Sequence, residues 1–161
     1  MHRTTSATRT TLTAAALTAA VVAVITALPI SAQTDTTSPE QLPEPVVSTH
    51  DLMELFNKPL YMQLKKAMSE TPSSDQQWNT VTERGWQAAE VANLVAIRDT
   101  DHPAETWKSL AYNLQRRGVE LAKAAKAKDV EKTKQAYASL IESCNTCHNQ
   151  LASGHAPKLK K

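Results

Sequence analysis

The apolar positions of this chain recur every three or four residues, which is the period of an α-helix that buries one side. The clearest run follows the steps 3, 4, 3, 4, 3 and 4 between Val130 and Leu151. Alternating runs of β-branched residues are almost absent, and the chain has only 3 glycines. The pattern therefore predicts an all-α protein.

Four helical segments are predicted, each followed by a short turn or by the tail of the chain. They are Thr49–Ser69, Ser74–Arg98, a third from about Pro103 to Lys126 and a fourth from about Asp129 to residue 153. Helices of about 20–25 residues with short connections favour an antiparallel up-down-up-down four-helix bundle. The bundle is assigned to residues 49–153, and residues 154–161 form a basic tail that is expected to be solvated.

Two residues interrupt the helical pattern. Pro59 lies inside the first predicted helix, where it removes one backbone hydrogen bond and should kink or split the helix. Gly118 lies inside the third, where the close approach of a cofactor or of another helix would explain it. A glycine that is merely tolerated is the other interpretation.

The first 32 residues have the pattern of a secretory signal peptide. Arg3 and Arg9 precede an uncharged run from Leu12 to Leu28, and small residues ending at Ala32 offer a cleavage site. The protein is therefore expected in the periplasm or otherwise exported. A retained membrane anchor is the alternative, although the run is at the short limit for a span and is rich in Ala and Thr. Residues 33–48 are rich in Thr and Pro and are predicted to be a disordered linker.

The charge of the chain gives no reason to expect a nucleic-acid partner. Lys and Arg number 18 against 16 Asp and Glu. Arg3 and Arg9 are the only formally charged side chains before residue 33, so the remainder has zero formal net charge. The lysines of the tail could still steer an acidic redox partner towards the protein.

The strongest chemical signal is the segment Cys144-Asn145-Thr146-Cys147-His148, which is a C-x-x-C-H motif of the kind that attaches c-type haem. Cysteines three apart share one helix face, so both sulfurs can reach the vinyl groups of one porphyrin. The histidine that follows can bind the iron as the proximal ligand. These are the only 2 cysteines of the chain. One covalent haem c is therefore expected on the seam of the fourth helix.

Two other uses of the cysteines remain open. A redox dithiol normally opens a helix, where the dipole lowers the thiol pKa, whereas this pair lies near a helix end. A zinc half-site would need two further ligands at helpful spacing. A third function class, a structural or zinc-binding bundle without haem, follows from these alternatives.

Helix geometry places the end of the fourth helix beside the start of the first. At about 1.5 Å per residue, Met53 is at the level of His148, whereas Met62 is too far along. Met53 is therefore the candidate sixth iron ligand, and simple packing over an open haem face is the alternative. The other residues named near the haem are the competing histidines His50, His102 and His155 and the candidate pocket residues Leu52, Phe56, Tyr137 and Leu140.

A secreted four-helix bundle with this motif on its last helix resembles the cytochrome c′ superfamily, including its low-spin class II members. The resemblance covers residues 49–152. It implies haem c on Cys144 and Cys147, with His148 as an axial ligand. In the low-spin members a methionine on the first helix is the sixth ligand, and this corresponds to Met53. Pairs of such bundles often associate, so the resemblance allows a homodimer.

The chain departs from this family after the haem histidine. Members commonly carry an aromatic residue and an arginine three and four positions later, where this chain has Leu151 and Ala152. The departure weakens a transfer of the nitric oxide chemistry of the high-spin members. The sequence thus favours a one-electron carrier that serves redox partner proteins and is not an enzyme. Five-coordinate haem that binds nitric oxide or carbon monoxide is the alternative.

Overall fold

The computed structural model describes residues 44–152 and 156–161, and within this part the secondary structure is helical without any strand. The elements are α1 (Thr49–Leu52), a π-helical turn (Met53–Asn57), α2 (Lys58–Ala67), α3 (Asp75–Ala96), α4 (Ala104–Lys126) and α5 (Val130–Leu151). Because α1, the π turn and α2 follow one another directly, they form one helical arm, here called the first arm. The all-α class and the four helical arms are confirmed, and they are compatible with a helical bundle.

The predicted signal peptide, residues 1–32, and most of the predicted linker lie outside the described residues. Within the described ranges, none of the helices has the length and apolar content needed to cross a membrane.

The first arm changes its helical form just before Pro59. The backbone N–H of Lys58 donates to the carbonyl of Met53, five residues earlier. Pro59 then occupies the first turn of α2, where a missing N–H is tolerated. The interruption predicted at Pro59 therefore takes the form of a π turn upstream of the proline, and the arm continues as α2. A wider turn reduces the clash that a proline ring makes with the carbonyl four residues before it.

The π turn also changes which residues of the first arm are buried. The apolar spacing of a regular α-helix predicts that Leu55 and Phe56 are buried on the same side as Leu52, Leu60 and Leu64, but they are 61% and 44% exposed. That part of the prediction is wrong, because it assumed the angular spacing of a regular α-helix throughout the arm. Leu52, Leu60 and Leu64 are buried as expected.

Helix α3 begins at a capping box. The Ser74 Oγ accepts from the Gln77 backbone N–H at 3.3 Å, and the Gln77 side chain accepts from the Ser74 backbone N–H at 3.1 Å. Two backbone donors that a helix start leaves without partners are thereby satisfied.

Ser74→Ala is expected to lower the free energy of unfolding by about 1 kcal/mol, because it leaves a helix-start donor without its cap. The measurement is urea unfolding followed by circular dichroism. Ser109→Ala is the matched control, since it removes an exposed hydroxyl inside α4. An equal loss of stability in both variants would contradict the role of the cap.

The core consists of two groups of buried side chains. The end cluster contains Leu52, Val91, Val95, Ala96, Trp107 and Ala111, with Val47, Met53 and Leu151 packed against it. It therefore joins the start of the first arm, the end of α3, the start of α4 and the end of α5. This junction is the one that alternating up and down helices produce. The Trp107 indole N–H also donates to the Val95 carbonyl at 2.9 Å.

The main cluster fills the rest of the bundle. Its buried members are Leu60, Leu64, Trp78, Val81, Ala88, Ala92, Leu114, Leu121, Ala125, Ala136, Tyr137, Leu140 and Ile141. The partly buried side chains of Cys144 and Leu159 pack against it. The candidate attachment segment is thus in direct contact with the core.

Helices α3 and α4 approach each other closely at two glycines. A Cβ added to Gly118 would lie 2.7 Å from the Ala89 backbone nitrogen and 2.8 Å from the Gly85 carbonyl oxygen. A Cβ added to Gly85 would lie 2.6 Å from the Ala122 backbone nitrogen. The sequence suggested that Gly118 permits the close approach of either a cofactor or another helix. The structure shows the close approach of another helix, α3.

Candidate cofactor-attachment site

The two cysteines lie in the last two turns of α5, and both are half-buried free thiols. Their spacing of three residues places them on the same side of the helix. Cys144 contacts the main cluster. The pair therefore lies where the helix surface passes from the core towards solvent, and a group bonded to both sulfurs would be partly enclosed.

The surroundings of the thiols oppose their ionisation. Burial, with a smaller contribution from the neighbouring Cys147, raises the pKa of the Cys144 thiol to about 12. Burial also raises the pKa of Cys147. Because the thiolate is the reactive form in disulfide exchange, this environment does not suit a redox dithiol.

His148 has a defined hydrogen-bond partner. Its Nδ1 lies 3.3 Å from the carbonyl oxygen of Pro157. A carbonyl oxygen only accepts hydrogen bonds, so this contact requires the proton to be on Nδ1. In the neutral ring with this tautomer, the lone pair of Nε2 is available for a metal, as in metal-binding histidines whose other nitrogen donates to a carbonyl.

The C-terminal tail is fixed to the protein beside the motif. Asn145 donates from its side chain to the Leu159 carbonyl at 3.0 Å and accepts from the Leu159 backbone N–H at 2.7 Å. The Tyr61 hydroxyl donates to the Lys160 carbonyl at 2.9 Å and accepts from the Lys160 N–H at 3.0 Å. The lysines of this segment are exposed, as expected for a solvated tail, but Leu159 packs on the main cluster.

Met53 lies in the end cluster together with Leu151, which follows His148 by three residues. The Asn57 side-chain amide donates to the Met53 sulfur at 2.8 Å across the π turn. Met53 is half-buried and belongs to the end of the bundle at which α5 ends. Its ligation to iron stays a prediction.

The four candidate pocket residues are divided between different surroundings. Leu52 is in the end cluster, whereas Tyr137 and Leu140 are in the main cluster. Phe56 is 44% exposed. The structure therefore does not bring these four side chains together around one space, and their role at a haem stays a prediction.

The competing histidines have other surroundings. The His50 side chain is 82% exposed, and its Nδ1 is 3.8 Å from an Asp51 carboxylate oxygen. His102 stacks on Trp107 with ring centroids 6.2 Å apart. His155 lies outside the described residues. Within residues 44–152 and 156–161, no three His, Cys, Asp or Glu side chains converge as a metal-binding group.

A cavity of about 220 Å³ lies at the turn between α2 and α3, and it does not include the motif. Thr133 lines this cavity and is fully buried. The sequence pattern did not distinguish it from the other seam positions.

Several residues around the site were missed by sequence reasoning. Asn145 stands inside the motif at a position that the motif leaves free, and Tyr61 and Asn57 appeared only as members of the first helix. The one available signal was Leu159, an isolated apolar residue among the lysines of the tail.

No protein-family model, no curated protein and no solved structure matches this chain. The resemblance to the cytochrome c′ superfamily therefore depends on the motif and the helical pattern.

The residues present fit a covalent haem by their donor chemistry. Two thiols on one face and an imidazole with a free Nε2 are the groups that thioether attachment and axial ligation require. Among the described residues, the buried hydroxyl of Tyr137 has no hydrogen-bond partner. It belongs to the cluster that Cys144 contacts. Since buried polar groups normally have partners, this hydroxyl has the capacity to bind a further polar group.

Proposed function

We propose that the protein is an exported c-type cytochrome that carries one electron with a single covalent haem. Cys144 and Cys147 hold the haem by thioether bonds, and His148 binds the iron through Nε2. The observation that carries the proposal is the combination of this motif with the Pro157 contact of His148 Nδ1, which leaves Nε2 free. When bound, the haem supplies an iron centre that changes its charge by one electron.

The rest of the chain supports such a role by holding the site in a rigid, weakly polar place. On α5, Cys144 contacts the main cluster and Leu151 contacts the end cluster, so the helix is packed on the core both before and after His148. Met53 of the first arm also contacts the end cluster. Little rearrangement is expected when the iron changes its charge between fixed ligands. Redox partner proteins would exchange electrons with the haem edge that remains near solvent.

The direct test is to express the full chain in a bacterium that has the cytochrome c maturation machinery. We expect export, and haem that stays with the chain after denaturation in acid and detergent. A chain that folds under these conditions without covalent haem would contradict the proposal and favour a haem-free structural bundle.

Met53→Ala tests the sixth ligand. If the Met53 sulfur binds the iron, the oxidised wild type shows the weak far-red absorption band of methionine ligation. The variant then loses this band and becomes high-spin. Met62→Ala is the matched control, because Met62 lies on the same arm and is 58% exposed. A high-spin wild-type spectrum that neither substitution changes would show that Met53 is not a ligand.

A second candidate function is the binding of nitric oxide or carbon monoxide by five-coordinate haem. It is favoured by the Asn57 hydrogen bond to the Met53 sulfur and by the packing of Met53 on the end cluster, which would suit a side chain that covers an open haem face. The two candidates differ in the reduced wild type. An immediate spectral change with carbon monoxide indicates the gas-binding protein, and no change indicates the carrier.

A further inference from the structure

The last residues of the chain contact three points of the molecule. Pro157 accepts from His148, Leu159 exchanges two hydrogen bonds with Asn145, and Lys160 exchanges two with Tyr61. Here Pro157–Lys160 is called the C-terminal strap. It touches the attachment motif at two residues and the first arm at one.

We propose that the C-terminal strap positions the iron ligand His148 and sets its strength as a donor. The inference rests on the proposed function and adds to it a part of the chain that the motif does not include. The Pro157 carbonyl acts through the imidazole, so Pro157 is a positioning residue.

The hydrogen bond to Pro157 has two physical consequences for the imidazole. It fixes the tautomer with the proton on Nδ1 and limits rotation of the ring. It also draws that proton towards the carbonyl, which makes Nε2 more electron-rich and a stronger ligand. A stronger ligand stabilises the oxidised iron more than the reduced iron, so the hydrogen bond lowers the reduction potential.

The other contacts explain why the Pro157 carbonyl can hold its place. Leu159 lies two residues after Pro157 and packs on the main cluster. Its backbone N–H and its carbonyl are both hydrogen-bonded to the Asn145 side chain. Asn145 lies between the two cysteines, so the anchor of the strap is part of the segment that would carry the haem. Tyr61 ties the next residue to the first arm.

The first experiment compares reduction potentials of the haem-loaded wild type and of a chain that ends at Ala156. We expect about a tenfold shift of the ratio of oxidised to reduced protein towards the reduced form, which equals a rise of about 59 mV for one electron. The truncation also removes Lys158, Lys160 and Lys161. Loss of positive charge lowers the potential, so a rise cannot come from the missing lysines.

A milder variant separates the contact from the loss of the chain end. Tyr61→Phe removes both bonds to Lys160 and keeps the ring, and we expect a shift in the same direction of about threefold. Tyr112→Phe is the matched control, because Tyr112 is a tyrosine on α4 that is 55% exposed. We expect no shift from it.

A second readout does not depend on the potential. In reduced protein with nitrogen-15-labelled histidine, we expect the Nδ1 proton of His148 to exchange slowly with deuterium in the wild type and at least tenfold faster in the truncated chain. Unchanged exchange together with an unchanged or lower potential would overturn the role of the strap. A wild type without covalent haem would instead overturn the proposed function, so the two failures are distinguishable.

Discussion

Gly118→Ala is expected to lower the free energy of unfolding by about 2–3 kcal/mol. The added Cβ would lie 2.7 Å from the Ala89 nitrogen and 2.8 Å from the Gly85 carbonyl oxygen. Both atoms belong to the backbone of α3, so a side-chain rotation cannot relieve the clash. The two helices must move apart, and the contacts that they share along their length weaken.

The expected loss of stability is opposite in sign to the effect of helix propensity alone. In an exposed helix interior, alanine is favoured over glycine by about 1 kcal/mol, so without the close approach the substitution would stabilise the protein. The measurement is urea unfolding, in which the dependence of the free energy of unfolding on urea concentration should stay unchanged. Lys108→Ala, at an exposed position of the same helix, is the control and should change stability by less than about 0.5 kcal/mol. A Gly118→Ala protein as stable as the wild type would show that α3 and α4 do not meet here.

Replacing both cysteines by serine is expected to abolish covalent haem attachment. Serine has nearly the shape of cysteine but no sulfur to add to the vinyl groups, so the fold should persist while the haem is lost on extraction with acidified acetone. Cys144→Ser and Cys147→Ser alone should each leave at most one thioether bond. The reduced spectrum of any remaining haem would then shift, because one vinyl group stays conjugated with the porphyrin.

The control for this series is Thr146→Ser, which changes a residue inside the motif and keeps both sulfurs and the histidine. Thr146 donates its hydroxyl to the Glu142 carbonyl at 2.9 Å, and serine can keep that bond. This variant should carry haem as the wild type does. If the double serine variant still held haem after denaturation, attachment by this motif would be disproved.

Much of the bundle could be predicted from the sequence because helical periodicity is a local property. The seam of α5, its N-cap at Asp129 and the start of α3 at Ser74 were all visible as residue types at fixed offsets. The junction of the four arms at the end cluster also follows from short turns between helices of similar length. Leu55 and Phe56 were misplaced because the pattern carries no signal for a π turn.

The candidate site shows the same difference between features set by local spacing and features set by contacts between distant segments. Cys144, Cys147 and His148 could be predicted as site residues from the sequence because haem attachment would need them at a spacing within one helix, and that role stays a prediction. The partners of His148 and Asn145 were not found, since a hydrogen bond between residues 9 or 14 positions apart depends on how the tail returns to α5. The bonds of Tyr61 to Lys160 span 99 positions and have no local signal at all.

By itself, therefore, the sequence determined the helices and their number, and it predicts which residues would form thioether bonds and bind iron. These depend on contacts within a few turns of one helix, where the spacing of residues sets geometry. Only the tertiary structure decided that Gly118 meets the backbone of α3, that Met53 shares a cluster with Leu151, and that the C-terminal strap lies against His148. Those facts depend on how separate segments pack, and packing is decided by the shape of the whole core.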